Sequence, residues 1–260
     1  MINPCARVCS LMQNTRLLSP LMGGAYPALS YIIKTRGNAN ASAKAKYKNI
    51  DFQFRRCDIS ALREVLLEHE YGFLRDTLKS IPRPLIYDIG AHIGLFAIWA
   101  LSINPQADVH SIEASPNTFK ILSSNVVQAQ AAHLSWQAEN KAAWQSNETI
   151  AFSDSSESSM SHRVDHQGKV QVAGVTLADI VEQAKERGEI DLLKVDIEGA
   201  EEAFLCTEDG KGLETVRRLV IELHPALCDT KRVTAILEKN FSKIEEIKGR
   251  KSSKPILYCQ

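Results

Sequence analysis

The stretch Leu85-Ile-Tyr-Asp88-Ile-Gly90-Ala-His92-Ile-Gly94-Leu-Phe-Ala-Ile-Trp-Ala-Leu101 decides the fold. Leu85–Ile89 is a short apolar run between Pro84 and Gly90, which predicts a buried strand. Gly90 permits a tight turn out of that strand, and Gly94 lets the next helix pack close to a sheet. Residues 93–101 are apolar nearly all round, so the helix they form is buried.

The alternation repeats on the C-terminal side. Residues 109–112 predict a second strand, and Ser115-Pro116 caps and starts a helix carrying Phe119, Ile121, Leu122 and Val126. Residues 134–138, 190–195 and 219–223 are further apolar strands, the last two each followed by a helix. Such alternation implies an α/β protein, doubly wound about a mostly parallel sheet with helices on both faces. The chain ends differently. Residues 241–247 and 256–259 are two strands joined by the polar, basic turn 248–254, a spacing that allows only antiparallel pairing. Residues 153–161 hold six serines and read as a loop or a lid over substrate.

On the N-terminal side, Ile50, Phe52 and Phe54 alternate with polar residues as in a strand. Ser60 then caps a helix expected to run to about Lys79. Residues 1–49 read as a basic N-terminal extension and 50–260 as one domain. The first 50 residues carry seven Lys/Arg and no Asp or Glu. Leu11, Leu17, Leu18, Leu21 and Met22 suit one or two short helices broken at Pro20 and Pro27, followed by a flexible basic linker over 36–48. The block could pack as a cap, lie on a membrane or acidic partner, or address an organelle. The sheet begins after it, so the remainder is expected to fold and bind its cofactor alone.

The whole chain of 260 residues has 31 basic and 31 acidic side chains. Zero net charge argues against a nucleic-acid binder, which needs clustered positive charge. Six cysteines without C-x-x-C spacing suggest reduced thiols and a cytoplasmic protein, membrane-peripheral at most. The oligomeric state is not legible.

The glycine motif carries cofactor information. Glu113 ends the second strand, 23 residues after Gly90, where a carboxylate can accept from a ribose diol. A dinucleotide needs glycine at the position of His92, whose side chain would crowd a pyrophosphate. S-adenosylmethionine has no phosphate, and Asp88 suits its ammonium group.

Leu192-Leu-Lys-Val-Asp-Ile-Glu-Gly-Ala-Glu201 closely resembles the signature of the FkbM family of S-adenosylmethionine-dependent methyltransferases. Asp88-Ile-Gly-Ala-His-Ile-Gly-Leu95, Asn140-Lys-Ala-Ala-Trp144 and Val220-Ile-Glu-Leu-His224 resemble it too, in the expected order. The family often has Asn where this chain has His92, and Pro where it has Ala114. The resemblance implies a class I methyltransferase-like Rossmann fold with a seven-stranded sheet and a C-terminal antiparallel hairpin. It also implies methyl transfer to a hydroxyl of a sugar, glycolipid or secondary metabolite. An N-methyltransferase, or a non-catalytic module keeping the cofactor fold, are the alternatives.

Ligands of an open parallel sheet bind at the carboxyl ends of its strands. The expected cofactor contacts are Asp88, Gly90, His92, Gly94, Glu113, Ala114 and Asn140. His224 and Asp196 are the candidate bases for an acceptor hydroxyl, and Glu198 and Glu222 line the acceptor. Asp196 and Glu222 could also hold Mg²⁺. Against these stand simpler roles: Asp196 as a helix cap, Glu198 in a helix first turn, and Glu222 and His224 as loop-ordering groups.

Overall fold

The computed structural model describes residues 4–153, 163–164, 168, 170–247 and 253–260. Two helices open the chain, α1 (Pro4–Leu18) and α2 (Ala25–Lys34), followed by the hairpin β1 (Ser42–Tyr47) and β2 (Ile50–Arg55). Two short helices, α3 (Ile59–Leu62) and α4 (Arg75–Ser80), lead into β3 (Leu85–Ile89) and α5 (Leu95–Ile103). Next come β4 (Asp108–Ile112), α6 (Pro116–Ala131), β5 (Ser135–Glu139) and β6 (Ala142–Ala143). A side sheet adds β7 (Thr149–Ser153), β8 (Arg163–Val164) and β9 (Val170–Val175). The chain closes with α7 (Leu177–Ala184), β10 (Leu192–Val195), α8 (Glu201–Leu205), β11 (Leu219–Glu222), α9 (Thr230–Asn240), β12 (Ile244–Ile247) and β13 (Ile256–Cys259).

The main sheet has seven strands in the order β12-β13-β11-β10-β3-β4-β5. β11, β10, β3, β4 and β5 are parallel, and β13 runs antiparallel to both neighbours. The terminal hairpin therefore inserts its last strand into the sheet and leaves β12 at the edge. This is the doubly wound arrangement expected from the alternating pattern, with the seven strands and terminal antiparallel hairpin that the family resemblance implies. Every residue of β3 and β10 is buried, and apart from Asp88 and Lys194 their side chains are largely hydrophobic, as in central strands covered on both faces.

α5 is buried from Leu95 to Leu101, with Trp99 fully enclosed. It starts two residues later than its apolar run predicts, because Gly94 (φ 87°) takes the left-handed cap position. A Cβ on Gly94 would come within 2.3 Å of the Trp136 ring, so the close helix–sheet contact is real and Trp136 on β5 exploits it. Ser115 caps α6 as expected, accepting from Thr118 N–H at 3.1 Å, with Pro116 in the first turn.

Three local expectations need correction. The segment read as a flexible linker over 36–48 contains β1, whose six residues all pair with β2. Its alternation, with Ala45 and Tyr47 buried and Lys44, Lys46 and Lys48 exposed, was masked by the lysines. The 49/50 boundary thus falls in the turn of a hairpin, and Leu18, Ala28, Tyr31 and Ile32 join the same core as Phe52, Phe54 and α5. The single helix expected over 60–79 is broken: a π turn at Arg63–Leu67 and a left-handed His69 (φ 54°) separate α3 from α4. Glu198 is not in a helix first turn but in a left-handed turn (φ 47°), and α8 begins at Glu201. Of the serine-rich stretch 153–161, only Ser153 lies within the described residues, as does only the end of the turn 248–254.

Candidate functional site

A cleft opens at the carboxyl ends of β3, β4, β10 and β11, enclosing about 1330 Å³ with its open mouth.

One end is built on the β3 turn. Gly90 (φ 75°) leaves no room for a Cβ, which would stand 1.7 Å from the Asp196 carbonyl oxygen. The glycine thus lets two strand ends touch. His92 follows in the left-handed region (φ 56°), which histidine and asparagine tolerate better than most residues. The His92 N–H donates to Glu113 Oε2 at 2.8 Å, and the Ser115 N–H donates to Oε1 at 2.8 Å. Glu113 lines the cleft with both oxygens fixed. The His92 ring rests on Asp58, its Nε2 3.2 Å from Oδ1, and Arg55 grips the same carboxylate from behind. Burial works against charge on Asp58, but His92 and Arg55 together hold it well below the usual carboxylate range.

Two expected contacts do other work. Asp88 is fully buried and is not among the cleft-lining residues. Parallel register sets Lys194 of β10 opposite Asp88 of β3, and Nζ lies 3.1 Å from Oδ1. The place read for a ligand ammonium is filled by the chain's own. Lys194 also donates to the Gly90 carbonyl at 2.9 Å, so this buried lysine fixes the turn and reaches the cleft wall. Asn140 donates to the carbonyls of Glu113 (2.7 Å) and Ala114 (3.0 Å). It shapes the β4 end, while Gly90, His92, Glu113 and Ala114 line the cleft and Gly94 caps α5 beneath it.

The other end is a cluster of ionisable groups around His224, which is only 3% exposed. His224 Nδ1 contacts Glu201 Oε1 at 2.7 Å, and Nε2 faces Glu198 (3.2 Å), Glu222 (3.7 Å) and Asp196 (3.9 Å). Lys254 adds a second cation, 3.0 Å from Glu198 and 3.6 Å from Glu222. Burial disfavours the imidazolium, but the Glu198 and Glu201 carboxylates outweigh it and raise His224 to about 10. The same carboxylates favour the protonated ring at neutral pH, and His224 lies outside the cleft-lining set. Glu222 does line the cleft. Burial and the neighbouring Asp196 push its carboxyl up to about 8, against Lys254 and His224. Asp196 does not act as a helix cap: its Oδ1 is buried without a hydrogen-bond partner.

Among the described residues, Asp196, Glu198 and His224 form a group of three whose ligand atoms come within 4.8 Å of one another, and Glu222, expected beside Asp196 as an Mg²⁺ ligand, is not part of it. An imidazole with carboxylates suits softer divalent cations better than Mg²⁺. The imidazolium and Lys254 already supply positive charge there.

Sequence reasoning missed Asp58, Lys194, Glu201 and Lys254. Lys194 had a signal, since placing strands one and four side by side puts it level with Asp88. Lys254 and Asp58 had none, because each arrives from a remote segment.

The chain is 28% identical to "Methyltransferase sdnD" of Sordaria araneosa over 208 residues, covering 68% of this chain and 78% of that one. It is 27% identical to "Methyltransferase 1" of Beauveria bassiana over 195 residues, covering 66% and 77%. The solved structure of human Methyltransferase-like protein 13 in complex with SAH aligns with TM-score 0.44 at 13% identity, covering 72% and 75%. The methyltransferase FkbM domain matches residues 88–247. Since that match spans more than half of its length, this chain belongs to the FkbM family of methyltransferases.

Proposed function

We propose that the cleft binds S-adenosylmethionine and directs its methyl group to a hydroxyl of a sugar, glycolipid or related metabolite. Glu113 supports the cofactor assignment, as a carboxylate at the end of β4 that lines the cleft and is fixed by two backbone N–H groups, the place for a ribose diol. Ala114, Lys141, Ala142 and Phe152 wall the space beside it, where the adenine would lie. Asp196 lines the cleft, as Asp88 does not, and serves as acceptor for the ammonium end. Bound there, the cofactor supplies an electrophilic methyl group on a sulfonium.

The observation that carries the hydroxyl reading is Glu222. An alcohol must lose its proton during attack, and the best base is one poised near working pH. Glu222 sits at the strand end in the cleft with its carboxyl raised to about 8. It takes the acceptor's proton as oxygen attacks, while His224 and Lys254 remain charged and steady the carboxylates around it. Glu64, Glu70 and Glu198 line the same cleft, polar walls suited to a polyhydroxylated compound.

The test is transfer of labelled methyl to panels of hydroxyl and amine acceptors. Glu222→Gln is expected to lower turnover about 10²–10⁴-fold on the true acceptor, with affinity for S-adenosylhomocysteine unchanged. EDTA should leave the rate intact, because the cations at this end belong to the chain. Transfer to amines alone, or full activity of Glu222→Gln, would overturn the hydroxyl reading.

A further inference from the structure

The helical pair α1–α2 carries an apolar face that the described residues leave uncovered. Its inner side belongs to the core through Leu18, Ala28, Tyr31 and Ile32. The outer side of α2 carries Tyr26, Leu29 and Ile33, spaced three and four residues apart and so aligned along one helix face. Tyr26 is 83% exposed and Ile33 56%, and Met12 on α1 is 67% exposed. Between the helices runs a shallow trough lined by Leu11, Met12, Arg16, Pro20, Ala25 and Leu29. Six large apolar side chains are exposed among the described residues, and four of them are here. Scattered exposed apolar residues need no explanation, but a concentration on one face marks an interaction surface.

The charge around this face has one sign. Arg16 forms part of the trough, Lys34 follows Ile33, and Arg36 is exposed two residues on. The first acid of the chain is Asp51, and it faces Lys46. A second copy of the chain is a poor occupant. A twofold contact would set the same basic patch against itself, with no acid in residues 1–50 to compensate. Aromatic and aliphatic side chains on a helix flanked by Lys and Arg match a different partner, the interface of an anionic bilayer.

We infer that α1–α2 is a docking surface for anionic lipid, with Tyr26, Leu29, Ile33 and Met12 entering the headgroup layer and Arg16, Lys34 and Arg36 meeting its charge. No helix among the described residues is long and apolar enough to cross a membrane, so the contact lies along the surface. The inference is independent of the cofactor reading.

The test is co-sedimentation of the full chain with phosphatidylcholine vesicles, with and without ~30% phosphatidylserine. Binding is expected to be at least about tenfold tighter to the anionic vesicles and to weaken as salt screens the charge. Tyr26→Glu with Ile33→Glu, at exposed positions, should lower it a further tenfold or so while the melting temperature stays unchanged. Equal, salt-insensitive binding to both vesicles, or undiminished binding by the double variant, would overturn the inference. So would a wild-type dimer that ignores vesicles and dissociates on these substitutions, which would place the patch between copies.

Discussion

Lys194 and Asp88 form a buried ion pair in which each charge is balanced by the other. Lys194→Met strands a buried carboxylate and is expected to cost about 3–5 kcal/mol in urea unfolding. Adding Asp88→Leu should restore most of that loss; if the single variant is as stable as the wild type, the pair is not what fixes the β3 turn. The cluster around His224 gives a pH signature. His224 is raised from 6.5 to about 10, so its contribution to stability is complete below about pH 6.5 and is lost as pH climbs through 10. Glu222 is raised from 4.5 to about 8, so folding favours its protonated form and this contribution fades between those values. Melting temperature should therefore fall from pH 7 to pH 10, and His224→Gln should flatten the upper part of that decline. Turnover should rise towards pH 8 as Glu222 loses its proton and drop near 10 as His224 does. An acid limb near 6.5 that vanishes in His224→Gln would instead make His224 the base. The sequence placed His224, Asp196, Glu198 and Glu222 in one crevice because strand ends converge. It could not assign the proton, because that depends on Glu201 and Lys254, brought in from α8 and the far end of the chain.

At the scale of elements, the apolar runs of β3, α5, β10 and β11 left little choice of architecture, since a strand covered on both faces has no polar side. The N-terminal hairpin was harder to read because only every second residue of β1 is buried. Its removal is now expected to matter. A chain beginning at Lys48 lacks β1, α1 and α2, which uncovers Phe52 and Phe54, both fully buried in the intact protein. Burial of one such side chain contributes roughly 1.5–3 kcal/mol, so the shortened chain should melt on the order of 10 °C lower. Calorimetry of the two chains checks this, and equal melting temperatures would mean that residues 1–47 are a separable appendage. The broken helix between Ser60 and Lys79 was illegible for another reason. Its apolar spacing is helical, but Tyr71 packs edge-on against Phe96 of α5, and the chain bends at His69 before it.

For the whole molecule, sheet order brings two unlike ends together: a carboxylate fixed by backbone N–H groups at β4, and a charged cluster at β10 and β11. Methyl transfer depends on the first of these binding a nucleoside. Glu113→Gln keeps the size of the side chain but replaces one acceptor oxygen with a donor. Titration calorimetry with S-adenosylhomocysteine is the direct measurement. One site per chain is expected in the wild type and a loss of about 1.5–3 kcal/mol in Glu113→Gln, roughly 10- to 150-fold, with folding intact. Absence of heat with the wild type, or equal affinity in a folded Glu113→Gln, would contradict this assignment.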